Sequence, residues 1–108
     1  ERPACLLDYF PEDWLLIEGH GDGYRRAGWL IRQTRPWPEH RFRELIKTLT
    51  VERCKALVLT ETGWQSVNQQ SIARAEAPQD ATMRLELIDS ESIDVERIDS
   101  QLRCLDRA

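Results

Sequence analysis

Long apolar runs are missing from this chain of 108 residues. None approaches the ~18 residues that a membrane-spanning helix needs, and no stretch resembles a signal peptide. A membrane partner is therefore not expected. Cysteine is scarce: Cys5, Cys54 and Cys104 make an odd number, with no CxxC and no spacing that would gather metal ligands on one turn. A reduced, cytoplasmic setting is the default that follows, with Cys54 in a strand and Cys104 in an amphipathic helix acting as small buried hydrophobes.

Lysine is nearly absent too. Of 15 basic residues only Lys47 and Lys55 are lysine. Arginine pairs bidentately with carboxylates or stacks on aromatics, so surface and interstrand pairing is the simple reading of the arginines and a specific anion site the sharper one. The net charge of −4 and pI near 5.2 argue against a nucleic-acid partner, because phosphate binding draws on an excess of basic residues.

Several chemistries have no motif to carry them. There is no GxxxxGK[ST] loop to cradle phosphates and no GxGxxG between a strand and a helix; the glycines of GHGDG, Gly19 to Gly23, have neither context. Only His20 and His40 could serve as imidazole ligands. His20, with Glu18 and Asp22 nearby in sequence, is the better metal candidate, and His40 opens a helix; solvated surface positions are the plainer reading of both. Neither histidine has a nucleophile at suggestive spacing, and no carboxylate pair has reason to hold divergent pKa values. No catalytic residue is nominated.

What is present reads as one small domain, long enough to bury a core without staples. Its organising stretch is ERCKALVLTETGWQSVN, Glu52 to Asn68. The run Leu57-Val58-Leu59 predicts a central strand covered on both faces, Thr62-Gly63 a tight turn, and Trp64 to Asn68 a strand nearer the edge. Before it, Tyr24 to Thr34 reads as a strand with Ala27, Trp29 and Ile31 on one face. Pro36 and Pro38 end that strand, and Phe42, Leu45, Ile46 and Leu49 follow at i, i+3, i+4 and i+7 as the apolar stripe of a first helix. After it come a small-residue strand over Ser71 to Ala77 and the clean alternation of Met83, Leu85 and Leu87. A last helix is capped by Asp94, with Val95, Ile98, Leu102 and Leu105 inward. Residues 1–23 are read as an N-terminal segment or linker, with Gly19 to Gly23 as a flexible break, and 24–108 as the domain. A first residue that is Glu rather than Met suggests a fragment or a processed product.

Two amphipathic helices on one face of a mostly antiparallel sheet make an α+β two-layer sandwich, a variant of the ferredoxin-like kind, because too few residues follow Leu105 for the closing strand that fold would want. The tryptophans Trp14, Trp29, Trp37 and Trp64 are enough to fill a core or to form an aromatic partner-binding face; Trp29, Trp37 and Trp64 are the candidates for such a face.

Three stretches together resemble the C-terminal domain of the CobW family of P-loop GTPases, a group linked to cobalamin synthesis and metal chaperoning. RRAGWLIRQTRPWPEHRFRELIKTL is similar to its opening strand, Arg-Pro-aromatic corner and Pro-led helix; ERCKALVLTETGWQSVNQQ to its strand around Arg-x-Lys-Gly and the hairpin after it; TMRLELIDSESIDVERIDSQLRCL to its closing strand, acidic turn and helix. The resemblance implies a non-catalytic fragment without a cofactor of its own. Its parent GTPase would use GTP and a divalent metal such as zinc or cobalt, and its partners would be that GTPase domain and a metalloprotein client or metal-insertion machinery. No position here matches the family's nucleotide-binding or CxCC motifs. A free-standing small-ligand or protein-binding domain is the other expectation.

Overall fold

The computed structural model describes residues 13–32 and 35–107. The elements run β1 (Trp14–Gly21), β2 (Tyr24–Arg32), α1 (Glu39–Thr48), β3 (Arg53–Thr60), β4 (Gly63–Asn68), β5 (Ser71–Arg74), β6 (Thr82–Asp89) and α2 (Val95–Arg107). Six strands form one antiparallel sheet in the order β1-β2-β6-β3-β4-β5. Since β6 is antiparallel to both of its neighbours, β2 and β3 point the same way, and α1 carries the chain from one to the other past β6. This is an α+β domain with an open sheet and two helices.

Strand periodicity decides which side of the sheet is core. Ala27, Trp29 and Ile31 of β2 lie opposite Leu87, Leu85 and Met83 of β6, and Cys54 and Ala56 of β3 lie opposite Leu87 and Leu85. All are buried, and they share one cluster with Phe42, Leu45 and Ile46 of α1 and Ile98, Leu102 and Leu105 of α2. Both helical stripes therefore cover the same face. Asp94 caps α2 as its sequence position suggests, accepting the Arg97 N–H at 3.3 Å. Pro38 stands at the N-cap of α1 without a side-chain cap, and the Glu61 carboxylate supplies the acceptor for the Glu39 N–H at 3.2 Å.

Four stretches differ from the sequence reading. Gly19 to Gly23 is no flexible break: Gly19 and Gly21 belong to β1, Gly21 pairs with Tyr24, and Asp22 and Gly23 form a two-residue turn with φ of 53° and 80°. Two left-handed residues in succession match the right-handed twist of the strands they join, and glycine takes such a φ without strain. The described part of residues 1–23 thus includes a strand of the sheet, whereas the apolar residues before Asp13 lie outside the described residues.

The turn after β3 falls on Glu61 and Thr62, with Gly63 opening β4 at a φ of 115°. The small-residue strand ends at Arg74, and Ala73 is exposed at the sheet edge opposite Ser66. β3 is central in the sheet, yet only one of its faces is covered: Cys54, Ala56, Val58 and Thr60 are buried, whereas Leu57 and Leu59 are half-buried and Lys55 is exposed. Both helices are spent on the other side, and among the described residues no element covers this one.

Candidate functional site

The uncovered face gathers residues from five strands into a shallow trough of about 640 Å³, lined by Ile17, Gly28, Leu30, Lys55, Leu57 and Arg84 among others. Ladder register sets its two central rows. One reads Ile17, Gly28, Glu86, Lys55 and Asn68; the next reads Leu15, Leu30, Arg84, Leu57 and Ser66. Gly28 creates the depression, because a side chain there would rise into open space, its Cβ meeting only the Leu85 carbonyl oxygen at 3.8 Å. Leu15, Ile17, Leu30 and Leu57 belong neither to the core cluster nor to the side chains packed against it. Ile17 stays 48% exposed.

Charge on this face is opposite to that of the chain. By register, Arg26, Arg32, Arg53, Lys55 and Arg84 rise on it with a single strand carboxylate, Glu86, while the whole chain carries −4. Among the described residues only Arg84 of these five forms an ion pair, meeting both carboxylate oxygens of Asp80 at 3.1 Å. The surface can therefore hold apolar side chains and carboxylates side by side.

The tryptophans are distributed unevenly. Trp29 and Trp37 are each only 1% exposed, and their indole N–H groups donate to carboxylates of α2: Trp29 to Asp99 at 3.0 Å, Trp37 to Asp106 at 3.0 Å. Trp14 donates to the same Asp99 oxygen at 2.9 Å, and the Arg103 guanidinium lies 4.6 Å from the centre of its ring. A buried indole N–H left without an acceptor is costly, so Asp99 and Asp106 anchor α2 to the sheet and to the corner before α1. Of the three tryptophans proposed as a partner face, Trp29 and Trp37 are thus committed to packing. Trp64 alone is half-buried on the uncovered side, opposite Leu59 at the rim of the core.

Burial tends to raise the pKa of Asp99, but hydrogen bonds from Trp29, Arg103 and Trp14 and the charge of Arg103 outweigh it, leaving the carboxyl below its ordinary range. Glu39 is lowered as well, by hydrogen bonds from Thr62 and Gln65. These two carboxylates tie helices to strands. Their hydrogen bonds serve packing, and neither borders the trough.

His20 is exposed near the end of β1 opposite Arg25, and both line a groove of about 490 Å³ with Glu18, Ser92 and Ile93. A guanidinium facing that imidazole works against a bound cation. His40 is exposed on α1, and the two histidines stand on different elements. Among the described residues no group of three or more His, Cys, Asp or Glu side chains comes together to hold a metal ion. Cys54 is buried as expected, its thiol pushed up to about 11 by desolvation; Cys104 is exposed, pointing off the stripe assigned to it, and Cys5 lies outside the described residues. Among the described residues no helix is long and apolar enough to cross a membrane.

Sequence reasoning missed Asp99, and the available signal was slight. Asp99 and Asp106 stand seven residues apart, a spacing that returns to the same side of a helix as Leu102, and carboxylates along the margin of an apolar stripe are placed to meet indole donors. No family model, curated protein or solved structure matches this chain.

Proposed function

We propose that this chain is the non-catalytic C-terminal domain of a CobW-like GTPase and works in partner docking or regulation during metal delivery or cobalamin synthesis. The observation that carries the docking role is the uncovered sheet face: a trough in which aliphatic side chains alternate with Lys55, Glu86 and Arg84, on a sheet whose other side carries both helices. An enzyme needs polar groups converging on reacting atoms. Among the described lining residues there is no histidine, serine or cysteine, and Lys55 stands opposite Glu86 amid aliphatic side chains, which suits recognition better than turnover.

The topology fits the ferredoxin-like variant expected of that family. With β2 and β3 parallel and β6 between them, β2-α1-β3 is a split βαβ unit. The place beside β2, where the strand after α2 would close the sheet, is taken by β1 from the start of the chain. β4 and β5 extend the other edge. In this reading GTP and a divalent metal such as zinc or cobalt belong to the parent GTPase. The partners are that GTPase domain and a metalloprotein client or metal-insertion machinery, and the setting is cytoplasmic.

Two observations test the proposal. The coding sequence upstream of Glu1 is expected to hold a P-loop, and titration calorimetry of the isolated chain is expected to show no heat of GTP binding. A start codon beside Glu1, or micromolar GTP affinity, overturns it. The first of those results favours the second reading, a free-standing ferredoxin-like domain for which the same trough would be a small-ligand or protein site.

A further inference from the structure

We infer that the uncovered sheet face binds an acidic polypeptide surface that inserts an aliphatic side chain over Gly28 and sets carboxylates against Arg26, Arg53 and Lys55. The inference deepens the docking reading above and rests on it. Three features of this face specify the occupant.

The first is shape with chemistry. Gly28 leaves a depression between Ile17 on one side and Leu30 and Leu57 nearby, which an extended aliphatic side chain fills and a solvated polar one does not. Burying such a side chain against aliphatic neighbours is favourable in proportion to the area removed from water.

The second is charge. Four cations without an ion-pair partner among the described residues, Arg26, Arg32, Arg53 and Lys55, stand on one face of a chain whose net charge is −4. Complementary charge raises encounter rates and selects partners. The acidic excess of the molecule therefore resides outside the strand positions of this face, which leaves the face open to a partner of negative sign.

The third separates polypeptide from polyphosphate. Sheets that read RNA stack bases on aromatic side chains of the open face, and here the two central strands present Thr82, Arg84, Glu86 and Ile88 on β6 and Arg53, Lys55, Leu57 and Leu59 on β3. No aromatic is among them; the aromatics of the open face, Tyr24 on β2 and Trp64 on β4, stand on the flanking strands. Glu86 lies between Gly28 and Lys55 in the central row, where its carboxylate can accept a backbone N–H, a donor that a polypeptide supplies and a phosphate group lacks.

The test uses the full chain, isotopically labelled for amide NMR, with four probes. One is a 15-residue helical peptide carrying Leu at i, i+3, i+4 and i+7 bordered by Glu; the second has each Glu replaced by Lys. The third is a ten-nucleotide oligouridylate, and the fourth is vesicles containing one-quarter phosphatidylserine. The acidic peptide is expected to shift the amides of Leu30, Lys55, Leu57 and Arg84 and to leave those of α1 and α2 in place, and its lysine counterpart to bind at least ten-fold more weakly. Lys55→Glu and Gly28→Leu are each expected to weaken the acidic peptide ten-fold or more; unchanged α1 and α2 amides in the free variants establish that the fold persists. Absence of shifts on the sheet face, equal binding of the two peptides, or tighter binding of the oligonucleotide or the vesicles overturns the inference. The coding sequence upstream of Glu1 judges the parent GTPase independently, so that failure of one reading is distinguishable from failure of the other.

Discussion

The two faces of this sheet are built from the same strands and have opposite fates. On one, Trp29, Met83, Leu85 and Leu87 alternate into a cluster closed by Phe42, Ile98 and Leu102. On the other, Leu30 and Leu57 stand at the same residue spacing with no helix of the described residues over them, and arginine and lysine share the face with them. Hydrophobicity alone does not separate the two. What separates them is where the polar donors end: the indole N–H groups of Trp14, Trp29 and Trp37 find carboxylates on α2, whereas among the described residues the cations of the open side form one ion pair, Arg84 with Asp80. A face whose indole donors are satisfied within the domain is made for stability. One whose charges remain available is made for encounter.

The comparison can be broken by substitution, beginning with the deepest side chain. Phe42 is 0% exposed and stacks at a tilt against Trp37, ring centres 6.0 Å apart. Phe42→Ala is expected to cost about 3–5 kcal/mol of unfolding free energy, measured by urea denaturation, since it removes a fully buried ring and leaves a cavity. A loss below 1 kcal/mol would mean that the covered face is less tightly packed than described.

Next is the carboxylate that joins β1, β2 and α2. Asp99→Ala leaves the buried Trp29 N–H without its acceptor and frees Trp14 and Arg103; the expected loss is about 1–3 kcal/mol, and Asp99→Asn, which keeps an acceptor oxygen, is expected to lose less. Indole N–H resonances of Trp14 and Trp29 should move together in both variants. If only one moves, the shared acceptor is wrong.

Acid sharpens the same contrast with a smaller effect. The folded pKa values of Asp99 and Glu39 lie below their ordinary values of 3.8 and 4.5, so the folded state binds fewer protons than the unfolded state in that range. Their contribution is present above those ordinary values and is lost as pH falls through the lower folded values. Stability should therefore decline as pH drops below about 4, and Asp99→Asn should flatten part of that decline. An unchanged slope in the variant would show that the Asp99 contacts do not persist in solution.

Much of the covered face was legible from sequence, and the reason is periodicity. The stripes of α1 and α2 and the alternation of β6 all recur at the spacing of their element, so Phe42, Ile98 and Leu85 could be placed in one interior before any coordinates. β1 was not legible, because Leu15-Leu16-Ile17 lacks alternation and three nearby glycines mimic a linker; its strand character comes from pairing with β2. The tryptophans' role was hidden for a different reason. Trp14 and Trp29 stand 85 and 70 residues from their shared acceptor, Asp99, and no local pattern encodes a contact at that separation. The open face was misread at Leu57 and Leu59, since an apolar run states that cover is favourable without stating whether this chain supplies it.

The division between the faces is tested most directly by truncating one leucine on each, in two single variants of the full chain unfolded in urea under the same conditions. Leu85→Ala, on the covered side, is expected to cost about 2–5 kcal/mol, and Leu57→Ala, on the open side, under about 1 kcal/mol with an unchanged denaturant slope. Equal losses would contradict the account, because they would mean that Leu57 is already part of a closed core and that no free face remains for a partner.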